Sequence, residues 1–92
     1  MPVRVTSLLF DDENADKIAA HGLTIEQVDK ILDGDHLIVP NRRGRRAPVL
    51  LIGRDHGGVC IATPLEPTRD SGCWRPVTAW RCKVSESIRL RG

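Results

Sequence analysis

Aromatic side chains are nearly absent from this chain: Phe10, Trp74 and Trp80 are the whole set, and there is no tyrosine. With 92 residues there is room for one domain with a thin interior. The core must therefore be built from Val, Ile, Leu and Ala. Long apolar runs are missing too. The N-terminus lacks the stretch of a secretory signal, and nothing approaches the roughly 20 residues that span a bilayer. A cytoplasmic protein with no membrane role is the expectation. Cysteine is sparse, at Cys60, Cys73 and Cys82. An odd number without C-x-x-C spacing indicates neither a disulfide framework nor a zinc site, and suits free thiols in a reducing compartment. His21, His36 and His56 are scattered and give no metal-ligand spacing. No metal and no cofactor are expected.

What is present is uneven charge. The formal net charge is only +2. Yet the acidic residues crowd between Asp11 and Asp35, and arginine dominates from Arg42 onward, with Arg42, Arg43, Arg45 and Arg46 in one turn. Such asymmetry can mark a polyanionic partner; the plain alternative is a solvated basic turn.

The periodicity predicts a mixed chain. Val3 to Leu9 alternates weakly and reads as a short strand. Asp11 or Asp12 can cap a helix running to about Ala20, because a carboxylate accepts the orphan N–H groups of a first turn. Gly22 supplies a left-handed end. Thr24 and Gln27 have the spacing of a capping box for a second helix, whose Ile25, Val28, Ile31 and Leu32 share one face. Gly34 stops it. Strands follow at His36–Val39, Pro48–Gly53, Val59–Leu65 and Trp74–Trp80. The middle pair is joined by Asp55-His56-Gly57-Gly58, a strong hairpin signal. Ser85 to Leu90 can form a turn or two of helix. Short connections imply an antiparallel meander, and two helices cover one face of it. The expected fold is thus α+β, with two N-terminal helices on a four-stranded antiparallel sheet and a short C-terminal helical tail. Its expected single core holds Ile18, Val28, Ile31, Leu50, Ile52, Ile61 and Val77.

Several segments now match a family pattern in order. Phe10-Asp11-Asp12-Glu13-Asn14 resembles an aromatic-Asp-x-x-Asn opening. Ile18 to Thr24, containing His21-Gly22, resembles a Lys-His-Gly-Val-Ser/Thr helix junction. Leu51-Ile52-Gly53-Arg54 resembles an apolar strand ending in Gly-Arg, and Pro76-Val77-Thr78-Ala79 resembles a last strand ending in Ser/Thr-Ala. Together these resemble the BrnT-like toxins of bacterial toxin–antitoxin pairs, over Phe10 to about Glu86. The resemblance implies a fold similar to the RelE-type ribonucleases, metal-independent endoribonuclease activity, and a cognate antitoxin protein and RNA as partners. It leaves a homodimer open. The chain departs from that pattern where Trp80 stands in place of an arginine, with Arg81 one position later, and in a tail that has no tyrosine.

Metal-free RNA cleavage needs a proton acceptor, a proton donor and cations around one phosphate. His21 is the acid–base candidate, because histidine titrates near neutrality; a helix-terminal cap is its structural alternative. Arg54, at a strand end, would hold phosphate. Glu66 could serve as a base or be a solvated strand end, and a regular hairpin would put it far from Arg54. Arg75 and Arg81 flank the last strand and share a face if no bulge intervenes, as do Trp74 and Trp80. The expected catalytic set is thus His21, Arg54, Arg81 and Glu66, with Arg42, Arg43, Arg45, Arg46 and Arg75 on RNA. A non-catalytic relative that binds protein or nucleic acid is the alternative function.

Overall fold

A computed structural model of the chain describes residues 3–41 and 46–91. The element order is β1 (Ser7–Leu8), α1 (Asp12–Ala20), α2 (Ile25–Lys30), a 3₁₀ turn (Ile31–Asp33), β2 (His36–Pro40), β3 (Val49–Arg54), β4 (Cys60–Pro67), β5 (Cys73–Pro76), β6 (Trp80–Arg81) and α3 (Val84–Arg91).

Local chemistry sets the helix ends. Asp11 caps α1 in a reciprocal box: its Oδ1 accepts from the Asn14 backbone N–H, and the Asn14 Oδ1 accepts from the Asp11 N–H, each at 2.9 Å. Thr24 and Gln27 do the same for α2, at 3.2 and 2.9 Å. Between the helices Gly22 takes φ 74°, a conformation other residues rarely adopt. The expected caps and glycine turn therefore form as read.

The expected sheet is corrected. Six strands form one mixed sheet in the order β1-β5-β4-β3-β2, with β6 also pairing β4. The segment read as a strand from Val3 to Leu9 contributes only Ser7 and Leu8, and these pair in parallel with Cys73 and Trp74. The segment read as one strand from Trp74 to Trp80 is two. Glu66 pairs with Arg75 on β5, whereas Ala62 pairs with Trp80 and Ile61 with Arg81 on β6. Along β5 the paired numbers sum to 66 + 75 = 141, and along β6 to 62 + 80 = 142. One extra residue is thus taken up between the two strands, as in a β-bulge.

That single residue reverses facing. Arg75 lies opposite Glu66 and Arg81 opposite Ile61; an odd separation on β4 puts them on opposite faces. Trp74 and Trp80, opposite Pro67 and Ala62, are separated in the same way. The shared face expected for each pair does not occur.

The helix count is corrected as well, from two helices with a short tail to three helices among the described residues. The main core joins Ile18, Leu23, Val28 and Ile31 of the helical layer to Val49, Leu51, Ile61, Leu65 and Ala79. Ile52 and Ala62 are fully buried but lie outside that cluster. Register places them on the second face of the sheet, since Ile52 alternates with Leu51 and Ala62 with Ile61. There α3 packs against β3. The expected single core is therefore split: Leu50 is half-buried on the second face, and Val77 is half-buried.

The cysteine reading also changes. Cys60 and Cys82 form a disulfide and Cys73 is free. Their pairing depends on β4–β6 register, which brings residues 22 positions apart to a Cα–Cα distance of 5.3 Å. No helix among the described residues is long and apolar enough to cross a membrane.

Candidate functional site

The expected catalytic residues sit at two ends of the sheet. Arg54 is the last residue of β3 and pairs with Cys60 at the start of β4. Glu66 is six positions further along β4, which at about 3.3 Å per residue places the two roughly 20 Å apart. Arg81, opposite Ile61, lies at the Arg54 end but one row over and facing the other way. His21 is the exposed C-cap of α1 and makes no side-chain hydrogen bond among the described residues. Arg42, Arg43 and Arg45 lie outside the described residues.

The Glu66 end is the more organised. Arg75, whose side chain is only 13% exposed, spans three carboxylates. Its Nε donates to Asp11 Oδ2 at 2.7 Å and its Nη2 to Asp11 Oδ1 at 3.1 Å, a two-pronged contact. Its Nη1 donates to Glu66 Oε1 at 2.8 Å and its Nη2 to Glu13 Oε1 at 3.3 Å. Arg46 adds a second cation, with Nε donating to Glu66 Oε2 at 2.8 Å and Nη2 lying 3.9 Å from Glu13. Two arginines thus meet three carboxylates, a net charge of 2 − 3 = −1. The hydrogen bonds from Arg75, then that from the Asn14 backbone, lower the Asp11 carboxyl from its ordinary 3.8 to about 2. Burial pushes the Glu66 carboxyl up, but the hydrogen bonds from Arg46 and Arg75 outweigh it and hold the group below the ordinary value. Arg75 is pushed above its ordinary value, chiefly by Asp11. Glu66 is therefore held ionised and fully engaged.

The sequence reading placed Glu66, Arg46 and Arg75 among functional residues but missed their partners. Asp11 appeared as a cap and, with Glu13, within the opening motif, and neither was expected to meet an arginine. No spacing signal links Asp11 to Arg75; only the β1–β5 and β4–β5 pairings bring the two segments together.

At the other end the hairpin is tied to α2. Asp55 Oδ1 accepts from the Val59 N–H at 2.8 Å, and Asp55 Oδ2 from Gln27 Nε2 at 3.1 Å. Burial opposes ionisation of Asp55, yet these hydrogen bonds and those from the Gly57 and Gly58 N–H groups hold its carboxyl below the ordinary value. His56 reaches Asp33 at 3.1 Å. Arg54 and Arg81 make no ion pair among the described residues.

A cavity of about 280 Å³ opens beside the β4–β5 turn, lined in part by Arg4, Thr68, Asp70, Cys73 and Trp74. None of the residues expected to be catalytic or RNA-binding lines it. Among the described residues no three His, Cys, Asp or Glu side chains are placed to hold a metal ion.

The fold and these clusters define a small three-helix α+β protein with a mixed sheet. A scan against protein-family models finds no match, and a search of curated proteins finds no similar sequence.

Proposed function

We propose that this chain is a non-catalytic relative of the BrnT-like toxins, acting as a protein-binding module paired with an antitoxin-type partner. One observation carries the reading: Glu66 is roughly 20 Å from Arg54 by strand register and is saturated by Arg46 and Arg75. Cleavage through the 2′-hydroxyl needs its base and its cations at one phosphate. His21, the other acid–base candidate, has no partner that would orient its ring among the described residues.

The same network argues against RNA at that end, because Arg46 and Arg75 are already neutralised by carboxylates. A protein partner has better-suited surfaces. β2 is an edge strand of the sheet, and an extended segment can add to such an edge. Val84 and Ile88, one helical turn apart on α3, are 76% and 59% exposed. A narrower observation favours retained RNA contact: Arg54 and Arg81, on opposite faces at one end of the sheet, make no ion pair among the described residues.

Co-expression with the adjacent gene should give a complex that stays together at micromolar concentration, and total RNA incubated with the purified protein should stay intact. Separate elution would remove the partner reading. Cleavage that survives EDTA and is lost in Arg54→Ala would restore the nuclease. Salt-sensitive RNA binding without cleavage, weakened by Arg54→Ala, would make the module a nucleic-acid binder.

A further inference from the structure

The disulfide between Cys60 and Cys82 has no part in the function proposed above, yet it sits at the root of α3. Cys60 opens β4, and Cys82 follows β6 with only Lys83 before α3 begins. The Cys82 N–H also donates to the Cys60 carbonyl at 2.9 Å. Both residues are half-buried, and neither belongs to the main core.

Among the described residues the other anchors of α3 are local or thin. Glu86 Oε1 accepts from the Lys83 N–H at 2.7 Å and from the Trp80 indole N–H at 3.1 Å, both from within six residues. β6 has two residues. Val84 and Ile88, one turn apart on α3, point away from the sheet and add nothing to its hold. An isolated helix of eight residues is not stable in water. Yet the second face it packs on holds Ile52 and Ala62, which are fully buried outside the core that α1 and α2 cover.

We propose that the Cys60–Cys82 disulfide is a redox latch: its reduction frees β6 and α3 and opens the second face of the sheet around Ile52 and Ala62, while the α1–α2 layer stays folded. The reductant is a dithiol. One of its thiolates attacks a sulfur of the disulfide and displaces the other as a thiolate. Its second thiol then resolves the mixed disulfide and leaves as an oxidised ring. The protein gains two electrons and two protons and ends with Cys60 and Cys82 as thiols. The latch operates whether or not a partner binds, so its test is separate from that of the proposed function.

The test is hydrogen exchange read by mass spectrometry, with and without dithiothreitol. Denatured protein purified without reductant should show one reactive thiol, Cys73, and three after reduction. Reduction should speed exchange over residues 80–91 by at least about tenfold, leaving residues 12–33 unchanged. In Trp74→Phe protein, where Trp80 is the sole indole, emission should shift as its contact with Glu86 is lost. The double variant Cys60→Ser, Cys82→Ser should resemble the reduced protein and ignore dithiothreitol. If that variant does not fold, the wild-type comparison still decides. Three thiols before reduction, unchanged exchange after it, or loss of protection throughout the chain would each overturn the latch.

Discussion

Asn14 is fully buried, and its side chain is fully used. Besides the cap of α1, its Nδ2 donates to the Leu9 carbonyl and to the Pro76 carbonyl, each at 3.0 Å. The Pro76 contact joins the first helix to the end of β5 across 62 positions of chain. The Asp-x-x-Asn opening is thus a structural lock: a shorter or charged side chain cannot donate twice and accept once in the same place. Asn14→Ala should cost about 2–3 kcal/mol, because it strands buried carbonyls and uncaps the helix. Urea denaturation measures it, and a loss under about 0.5 kcal/mol would mean that water replaces the amide without penalty. Thr63 makes a comparable buried tie, its hydroxyl donating to the Thr78 carbonyl at 2.6 Å beside the bulge.

Among the elements, the 3₁₀ turn and β3 meet closely at Gly53. A Cβ there would lie 3.1 Å from the Cβ atoms of both His36 and Ile31, and 3.3 Å from the Ile31 carbonyl. The Gly of the Gly-Arg strand end therefore admits the turn to the sheet. Gly53→Ala should destabilise by about 1–3 kcal/mol, since all three contacts are with Cβ or backbone atoms that no rotamer change can move. A thermal melt checks this, and an unchanged midpoint would show that the turn can lift away freely. The short β1 and β6 make the opposite point. Two residues each cannot hold themselves in place; β1 is kept by its pairing with β5 and β6 by β4 and the disulfide.

For the whole molecule, the Asp11–Arg75–Glu66 network ties the start of α1 to β4 and β5. Its pH dependence follows from the lowered carboxyls. Asp11 titrates at about 2 in the folded protein and at its ordinary 3.8 when unfolded. As pH falls, the unfolded chain takes up the proton first, so this contribution is complete above about pH 5 and is lost as the pH falls through 3.8 toward 2. The lowered Glu66 carboxyl acts in the same direction. Urea midpoints recorded at low salt should fall across that window, and Arg75→Met should flatten the fall. Equal slopes in the two proteins would show that the network does not contribute to stability.

The periodicity and caps of this chain determined the local elements: an aspartate cap on α1, the capping box of α2, the left-handed Gly22, the β3–β4 hairpin and the apolar stripes of Ile18, Val28 and Ile31. Each depends on residues within a few positions, where side-chain reach and backbone preference are legible in order. The distance between Arg54 and Glu66 was legible too, because a regular hairpin sets it. The tertiary structure decided what depends on register between distant segments. One extra residue between β5 and β6 turned Arg81 and Trp80 over. The parallel β1–β5 pair made the sheet mixed. The second face gained its own buried residues and a third helix. Cys60 met Cys82, and Asp11 met Arg75. The sequence alone did not reveal these because a one-residue slip reverses a strand's faces while hardly disturbing its local pattern.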